Sequence, residues 1–172
     1  MYKDKLRFSV SNFINPTRYI DLDLDTLDYT IVWQDKVSNF NPADYEKTFT
    51  YYESKDGTMV PLTYFHRKDL EINTETPIFL YGYGGYNISI RPSFSRKYVG
   101  WLELGGVVAI ANLRGGGELG KKWHNAGRLK EKQNVFDDFL YASKYLEANN
   151  VGNRKSTVIS GRSNGGLLVG TS

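Results

Sequence analysis

The feature that most constrains the fold of this 172-residue chain is a turn close to its end. The turn has the form G-x-S-x-G, in which Gly161 and Gly165 lie two residues before and after Ser163. A β-rich run, residues 157–160, precedes the turn, and an apolar run, residues 167–170, follows it. A serine on such a tight strand-to-helix corner projects its hydroxyl away from both elements. The pattern therefore predicts an α/β sheet that presents Ser163 as a nucleophile.

Steric arguments explain the glycines of this turn and place an anion-binding group beside the serine. A Cβ atom at Gly161 or Gly165 would collide where the strand and helix backbones converge. The first turn of a helix leaves its amide groups unpaired, so the N–H of Asn164 is free to bind a developing oxyanion. The alternative interpretation is a glycine- and serine-rich loop without a catalytic role.

Composition restricts the classes of protein to which the chain can belong. The net charge of +3 is small and its charged residues are scattered, which gives no support to nucleic-acid binding. The absence of cysteine excludes disulfides and thiolate metal sites and is typical of a reducing compartment. Apolar runs such as residues 107–111 are too short to span a membrane, and residues 1–6 do not lead into a signal-peptide core. We therefore expect a soluble, cytoplasmic protein with no membrane partner.

The first 65 residues have the character of antiparallel β structure. Residues 6–34 alternate between apolar and polar side chains, and residues 35–45 are typical of a connection. An Asp-Gly turn between two β-type runs is the strongest local signal for a hairpin. The aspartates within residues 19–25 lack the glycine and later glutamate of a calcium loop, so we expect a solvated strand face and no metal site. The predicted strands are residues 19–25, 29–33, 48–52 and 59–65.

From residue 77 onward, short apolar runs alternate with segments suited to helices. Strands that alternate with helices indicate a parallel sheet covered by helices on both faces. The predicted strands are residues 77–81, 106–112 and 157–160, and the helices that precede Ser163 are predicted at about residues 93–104, 118–125 and 135–149.

The loop of residues 115–122 imitates a nucleotide-binding motif. Its glycines fit G-x-G-x-x-G, and Asp137 and Asp138 follow at about the spacing of a ribose-binding acid. These aspartates, however, begin a helix, whereas the ribose-binding acid belongs at the end of a strand. Lys122 also stands where a P-loop needs a serine or threonine for magnesium. The context favours a structural turn, and we expect no cofactor; nucleotide binding is the alternative.

A second glycine-rich loop offers another oxyanion donor. Residues 82–85 follow the strand predicted at 77–81, and hydrolases with a nucleophile elbow take their second donor from a loop after an earlier strand. The hydroxyl of Tyr83 can donate to an oxyanion as a backbone amide does. Alternatively, Tyr83 is one of several core aromatic residues with a polar tip.

Four motifs follow one another along the chain: Leu80 to Ser89, Asn112 to Glu118, Asn134 to Phe139 and Ser163 to Gly166. Together they resemble the prolyl oligopeptidase family, which combines a seven-bladed β-propeller with an α/β-hydrolase peptidase domain. The resemblance implies that residues 1–44 are the end of the propeller, its last blade, with a linker. It implies that residues 45–172 are the N-terminal part of a partial α/β-hydrolase domain.

The resemblance also implies roles for individual residues. Ser163 corresponds to the nucleophile, while the Asn164 N–H and the Tyr83 hydroxyl correspond to the oxyanion hole. Tyr86 stands where the family usually places a phenylalanine wall of the proline-binding pocket. Arg162 stands where the family more often has glycine. The Ser-Asn-Gly-Gly run favours the prolyl enzyme over the related oligopeptidase B, which cuts after basic residues.

The sequence contains no acid and base in the order that the triad requires. Hydrolases of this fold follow the serine with Asp or Glu and then His, but the chain ends nine residues after Ser163, and His66 and His124 precede it. We therefore expect an inactive fragment of a longer serine endopeptidase, monomeric when full length, that hydrolyses short peptides after proline through an acyl-enzyme. The alternatives are an oligopeptidase B-like enzyme and a non-catalytic binding module that retains the elbow.

Overall fold

The computed structural model describes residues 4–172, which form two β-sheets. Residues 1–3, the start of the segment considered for a signal peptide, lie outside the described residues. The smaller sheet is antiparallel, and the Asp21 carboxylate of its central strand forms an ion pair with Arg7, with 2.6 Å between Oδ1 and Nε. Its strands, in spatial order, are β1 (Lys5–Val10), β2 (Arg18–Asp23) and β3 (Tyr29–Gln34).

Apolar side chains of the smaller sheet remain exposed within residues 4–172. The alternating pattern of the sequence predicted strands with an apolar side, and β2 and β3 follow that prediction. The exposed apolar residues of this sheet are Leu6, Phe8, Val10, Tyr19, Tyr29, Ile31, Val32 and Trp33. The assignment of this sheet to a propeller blade stays a prediction.

The larger sheet combines a hairpin with three parallel strands. The parallel strands are present as expected, but β5 also pairs with β7 in the antiparallel direction, from Leu62 opposite Ala111 to Phe65 opposite Val108. The hairpin therefore extends the parallel strands into one mixed sheet. Its five strands are β4 (Tyr45–Glu53), β5 (Met59–Arg67), β6 (Ile78–Gly82), β7 (Val107–Ala111) and β8 (Thr157–Ser160), in the spatial order β4-β5-β7-β6-β8.

Helices cover both faces of the larger sheet, as the sequence predicted. All five residues of β7 are buried, because successive side chains point to opposite faces and each face is covered. On one face, Phe139 and Leu168 pack in the same cluster as Ala109; on the other, Leu102 packs with Val108. The helices are α1 (Arg96–Glu103), α2 (Lys121–Asn125), α3 (Gln133–Ala148) and α4 (Asn164–Thr171).

The helix α2 is shorter than the sequence predicted because Glu118 does not join it. The Glu118 side chain instead accepts hydrogen bonds through Oε1 from the backbone N–H of Ile90 at 2.9 Å and from Asn112 Nδ2 at 3.1 Å. This carboxylate lies inside the glycine loop of residues 115–122 and fixes the conformation of that loop.

A buried ion pair joins the loop after β7 to α3 and to the hairpin turn. Arg114 is 4% exposed and Asp138 is fully buried, with 2.6 Å between Nη2 and Oδ1. Asp138 also accepts from the Ser54 hydroxyl at 2.6 Å, and Arg114 contacts Asp56 at 2.5 Å. The pairing with Arg114 argues against the alternative role of Asp138 as a ribose-binding acid.

Residues 4–172 contain neither a membrane-spanning helix nor a cluster of metal-ligating side chains. No helix in this range is long and apolar enough to cross a bilayer. Over the same range, no three His, Asp or Glu side chains come together in a group that could hold a metal ion.

Candidate active site

The strand, turn and helix around Ser163 form a nucleophile elbow. β8 ends at Ser160, α4 begins at Asn164, and Ser163 between them has φ 58° and ψ −123°. A non-glycine residue in such a region costs about 1–3 kcal/mol, so the surrounding structure must hold it there. A Cβ atom at Gly161 would collide with the carbonyl group of Gly165. The Ser163 residue is exposed, and its side chain makes no capping bond to α4.

The first amide of α4 is free to bind an anion. The N–H of Gly165 donates to the carbonyl oxygen of Arg162 at 3.0 Å, and the N–H of Gly166 donates to the carbonyl oxygen of Ser163 at 2.9 Å. The N–H of Asn164 donates to no acceptor within residues 4–172. This free donor lies directly after Ser163 at the positive end of the helix.

Tyr83 lies in the loop after β6 and is held against the start of α4. The Tyr83 ring is in van der Waals range of the position that a Cβ of Gly165 would occupy, at 3.6 Å. The side-chain amide of Asn164 donates to the backbone carbonyl of Tyr83. Gly85 makes this approach possible, because a Cβ there would collide with the Asn164 side chain. The Tyr83 hydroxyl makes no hydrogen bond to any residue from 4 to 172.

Tyr86 lines a cavity of about 570 Å³ beside the same loop. It has φ 54° and is 76% exposed, so its ring stands out from the loop. The structure thus brings Tyr86 and Asn164 to one cavity, whereas Ser163 and Tyr83 are not among the residues that line it. The lining residues are Gly85, Tyr86, Gly115, His124, Gly127, Arg128, Leu129, Lys132, Asn164 and Leu167.

Neither histidine forms a hydrogen bond with the Ser163 side chain within residues 4–172. His124 Nδ1 lies 2.7 Å from the carbonyl oxygen of Gly115, and His66 Nδ1 lies 2.8 Å from the carbonyl oxygen of Arg67. Both side chains therefore form local hydrogen bonds, although His124 also lines the cavity.

Sequence reasoning missed Lys132, which lies at this site. Its Nζ is 2.9 Å from the Gly84 carbonyl oxygen and 3.1 Å from Asn164 Oδ1. Burial lowers the pKa of the Lys132 ammonium. A lysine that precedes a helix carries no functional signal in a single sequence, because most such side chains are exposed.

The sequence and the fold of the chain are similar to those of known enzymes. Residues 92–172 match the prolyl oligopeptidase family. A prolyl endopeptidase from Elizabethkingia miricola is 43% identical over 166 residues, which cover 96% of this chain and 23% of that protein. Residues 92–172 belong to the prolyl oligopeptidase family.

Solved structures of the family share this fold. A prolyl endopeptidase structure superimposes with a TM-score of 0.90 at 44% identity and covers 97% of this chain and 24% of its own. Oligopeptidase B from Leishmania major superimposes with a TM-score of 0.90 at 32% identity. This match covers 98% of the present chain and 24% of the oligopeptidase B chain. These matches confirm the partial α/β-hydrolase fold. The chain spans about a quarter of the length of the relatives that it matches.

Proposed function

We propose that the complete protein is a serine peptidase that hydrolyses short peptides on the carboxyl side of proline. The observation that carries this proposal is the exposed Ser163, held at positive φ directly before the free N–H of Asn164. Relatives named prolyl endopeptidases support the same activity.

In the proposed mechanism, Ser163 Oγ attacks the scissile carbonyl carbon while a base takes its proton. The negative charge that forms on the carbonyl oxygen accepts hydrogen bonds from the Asn164 N–H and the Tyr83 hydroxyl. Collapse of this intermediate breaks the C–N bond, and the base returns its proton to the leaving amine. Water then hydrolyses the ester on Ser163 by the same route. Because the triad order is Ser, Asp, His, we assign the acid and the base to a segment that follows residue 172.

The side chain that precedes the scissile bond is proposed to lie against Tyr86. An aromatic ring is a large, rigid and mostly apolar surface, well suited to a proline ring. The exposed Tyr86 ring on the cavity wall supports this assignment.

A second candidate is cleavage after a basic residue, which the likeness to oligopeptidase B favours. Two peptides that differ only in proline or arginine before the scissile bond separate the candidates. A higher kcat/KM for the arginine peptide would replace proline specificity in the proposal. The third possibility, a binding module without a triad, requires that no Asp and His follow residue 172 in the gene.

The division of the chain into two domains is part of the proposal. Residues 1–44 would end a β-propeller and its linker, and residues 45–172 would begin the peptidase domain. The exposed apolar side chains of β1 to β3 support this division, because a blade packs its faces against neighbouring blades. A monomeric, cytoplasmic protein stays a prediction.

The decisive experiment replaces Ser163 by alanine in the complete protein. Loss of the nucleophile lowers kcat on the order of 10⁶-fold in serine proteases, so proline-directed cleavage should fall to background. A matched control is Ser172→Ala, which changes another exposed serine of the same helical region. Cleavage that survives Ser163→Ala would exclude the proposed function.

A further inference from the structure

Lys132 connects the loop of residues 82–85, here called the Tyr83 loop, with the first residue of α4. It lies between a 3₁₀ helix (Leu129–Glu131) and α3, outside both segments. Its ammonium donates to the Gly84 carbonyl of the Tyr83 loop at 2.9 Å and to the Asn164 side chain at 3.1 Å. The Phe136 ring lies beneath it, 5.9 Å from Nζ to the ring centroid.

The Asn164 side chain completes a closed bridge. An ammonium has donors and no acceptor, so the Asn164 carbonyl oxygen must face Lys132. The Asn164 amide nitrogen then faces the opposite way and donates to the Tyr83 backbone carbonyl. Two carbonyl groups of the Tyr83 loop, at Tyr83 and Gly84, are thereby tied to the first residue of α4.

Lys132 is held at this place without a carboxylate partner among residues 4–172. The half-buried ammonium therefore relies on carbonyl and amide oxygens for its hydrogen bonds. Charge-assisted hydrogen bonds of this kind are stronger than neutral ones and constrain both partners.

We propose that Lys132 is a positioning residue of the oxyanion hole: it fixes the Tyr83 hydroxyl relative to the Asn164 N–H. The inference rests on the proposed function, since it assumes that these two donors bind the same oxyanion. The strands that lead into these two segments, β6 and β8, are paired as far as Tyr81 and Ser160. Beyond the end of that pairing, the bridge from Lys132 through Asn164 ties the two segments together.

The test is Lys132→Met in the complete protein, which keeps an unbranched apolar stem and removes all three donors. Misplacement of reacting groups by about 1 Å can cost about 10²-fold, so we expect kcat to fall between about 10-fold and 10²-fold. KM should change by less than about twofold, because the lost interaction acts mainly in the transition state. Lys130→Met, in the adjacent 3₁₀ helix and exposed, is the matched control.

A double-mutant comparison separates positioning from a general contribution to stability. If Lys132 acts by placing the Tyr83 hydroxyl, Lys132→Met should lose much less activity in a Tyr83→Phe background than in the native sequence. A purely structural role predicts the same loss in both backgrounds. Equal losses, or a Lys132→Met kcat equal to that of Lys130→Met, would overturn the inference.

Two further measurements keep the outcome unambiguous. Asn164→Ala retains the backbone N–H and breaks the same bridge, so it replaces Lys132→Met in the comparison if that variant does not fold. Ser163→Ala is measured alongside. Activity that survives Ser163→Ala rejects the proposed function itself, whereas its loss with unaffected Lys132→Met and Asn164→Ala variants rejects only the role of the bridge.

Discussion

Asp138 is expected to be among the most sensitive positions of the chain for stability. It is fully buried and accepts hydrogen bonds from the Ser54 hydroxyl at 2.6 Å and from the backbone N–H, Nε and Nη2 of Arg114. The change Asp138→Asn keeps the size of the side chain and removes its charge. It also turns an amide N–H₂ group toward the Arg114 guanidinium or the Ser54 hydroxyl.

The expected loss of stability depends on the partner that Arg114 retains. Removal of one member of a buried ion pair typically costs about 3–5 kcal/mol, because the other charge stays buried without compensation. Arg114 retains Asp56, whose side chain is 46% exposed, so we expect the lower end, about 3 kcal/mol. At about 2–4 °C per kcal/mol for a domain of about 150–250 residues, the melting temperature of the transition that unfolds this sheet should fall by about 6–12 °C.

Scanning calorimetry of the complete protein measures this shift, and hydrogen exchange localises it to the loop of residues 112–118 and α3. Asp137→Asn is the matched control, one residue away on the same helix. Its carboxylate contacts Lys55 at 3.6 Å, and the Lys55 side chain is 62% exposed, so we expect a change below about 1 kcal/mol. Equal shifts for the two variants would refute the view that the buried pair holds this loop.

Two further predictions concern the site and the hairpin turn. Tyr83→Phe should cost about 2.7–4 kcal/mol of transition-state stabilisation, on the order of 10²–10³ in kcat, and an unchanged kcat would remove its hydroxyl from the oxyanion hole. A hydrogen bond from Arg114 lowers the pKa of Asp56 from 3.8 to about 2. Asp56 therefore contributes stability that is present above about pH 3.8 and lost as the pH falls toward 2. Over that interval the melting temperature should fall less in Asp56→Asn than in the native protein; parallel curves would contradict this.

The elbow could be predicted from the sequence because its requirements are local. Gly161 has to avoid Gly165, and a β-rich run has to end just before Ser163; both conditions are visible within a dozen residues. The parallel strands and their helices were predictable for a similar reason, since apolar periodicity reports the burial of each segment separately.

Contacts between distant segments could not be predicted in this way. Alternation identifies β5 as a strand but does not reveal that it pairs with β7, because strand order depends on the whole sheet. Likewise, Lys132 and Asn164 lie 32 positions apart, and neither residue type by itself indicates a bond to the other. Glu118 was assigned to a helix because its hydrogen bond to Ile90, 28 positions earlier, leaves no local trace.

The backbone conformation at position 163 lowers the stability of the fold, while in the proposed mechanism it presents the nucleophile to the substrate. Glycine would adopt φ 58° without the steric penalty that serine bears, so a protein selected for robustness alone would prefer glycine there. The same replacement would delete the hydroxyl that we propose as the nucleophile. Attempts to make this protein more heat-resistant should therefore leave the elbow untouched and seek their gains elsewhere in the sheet.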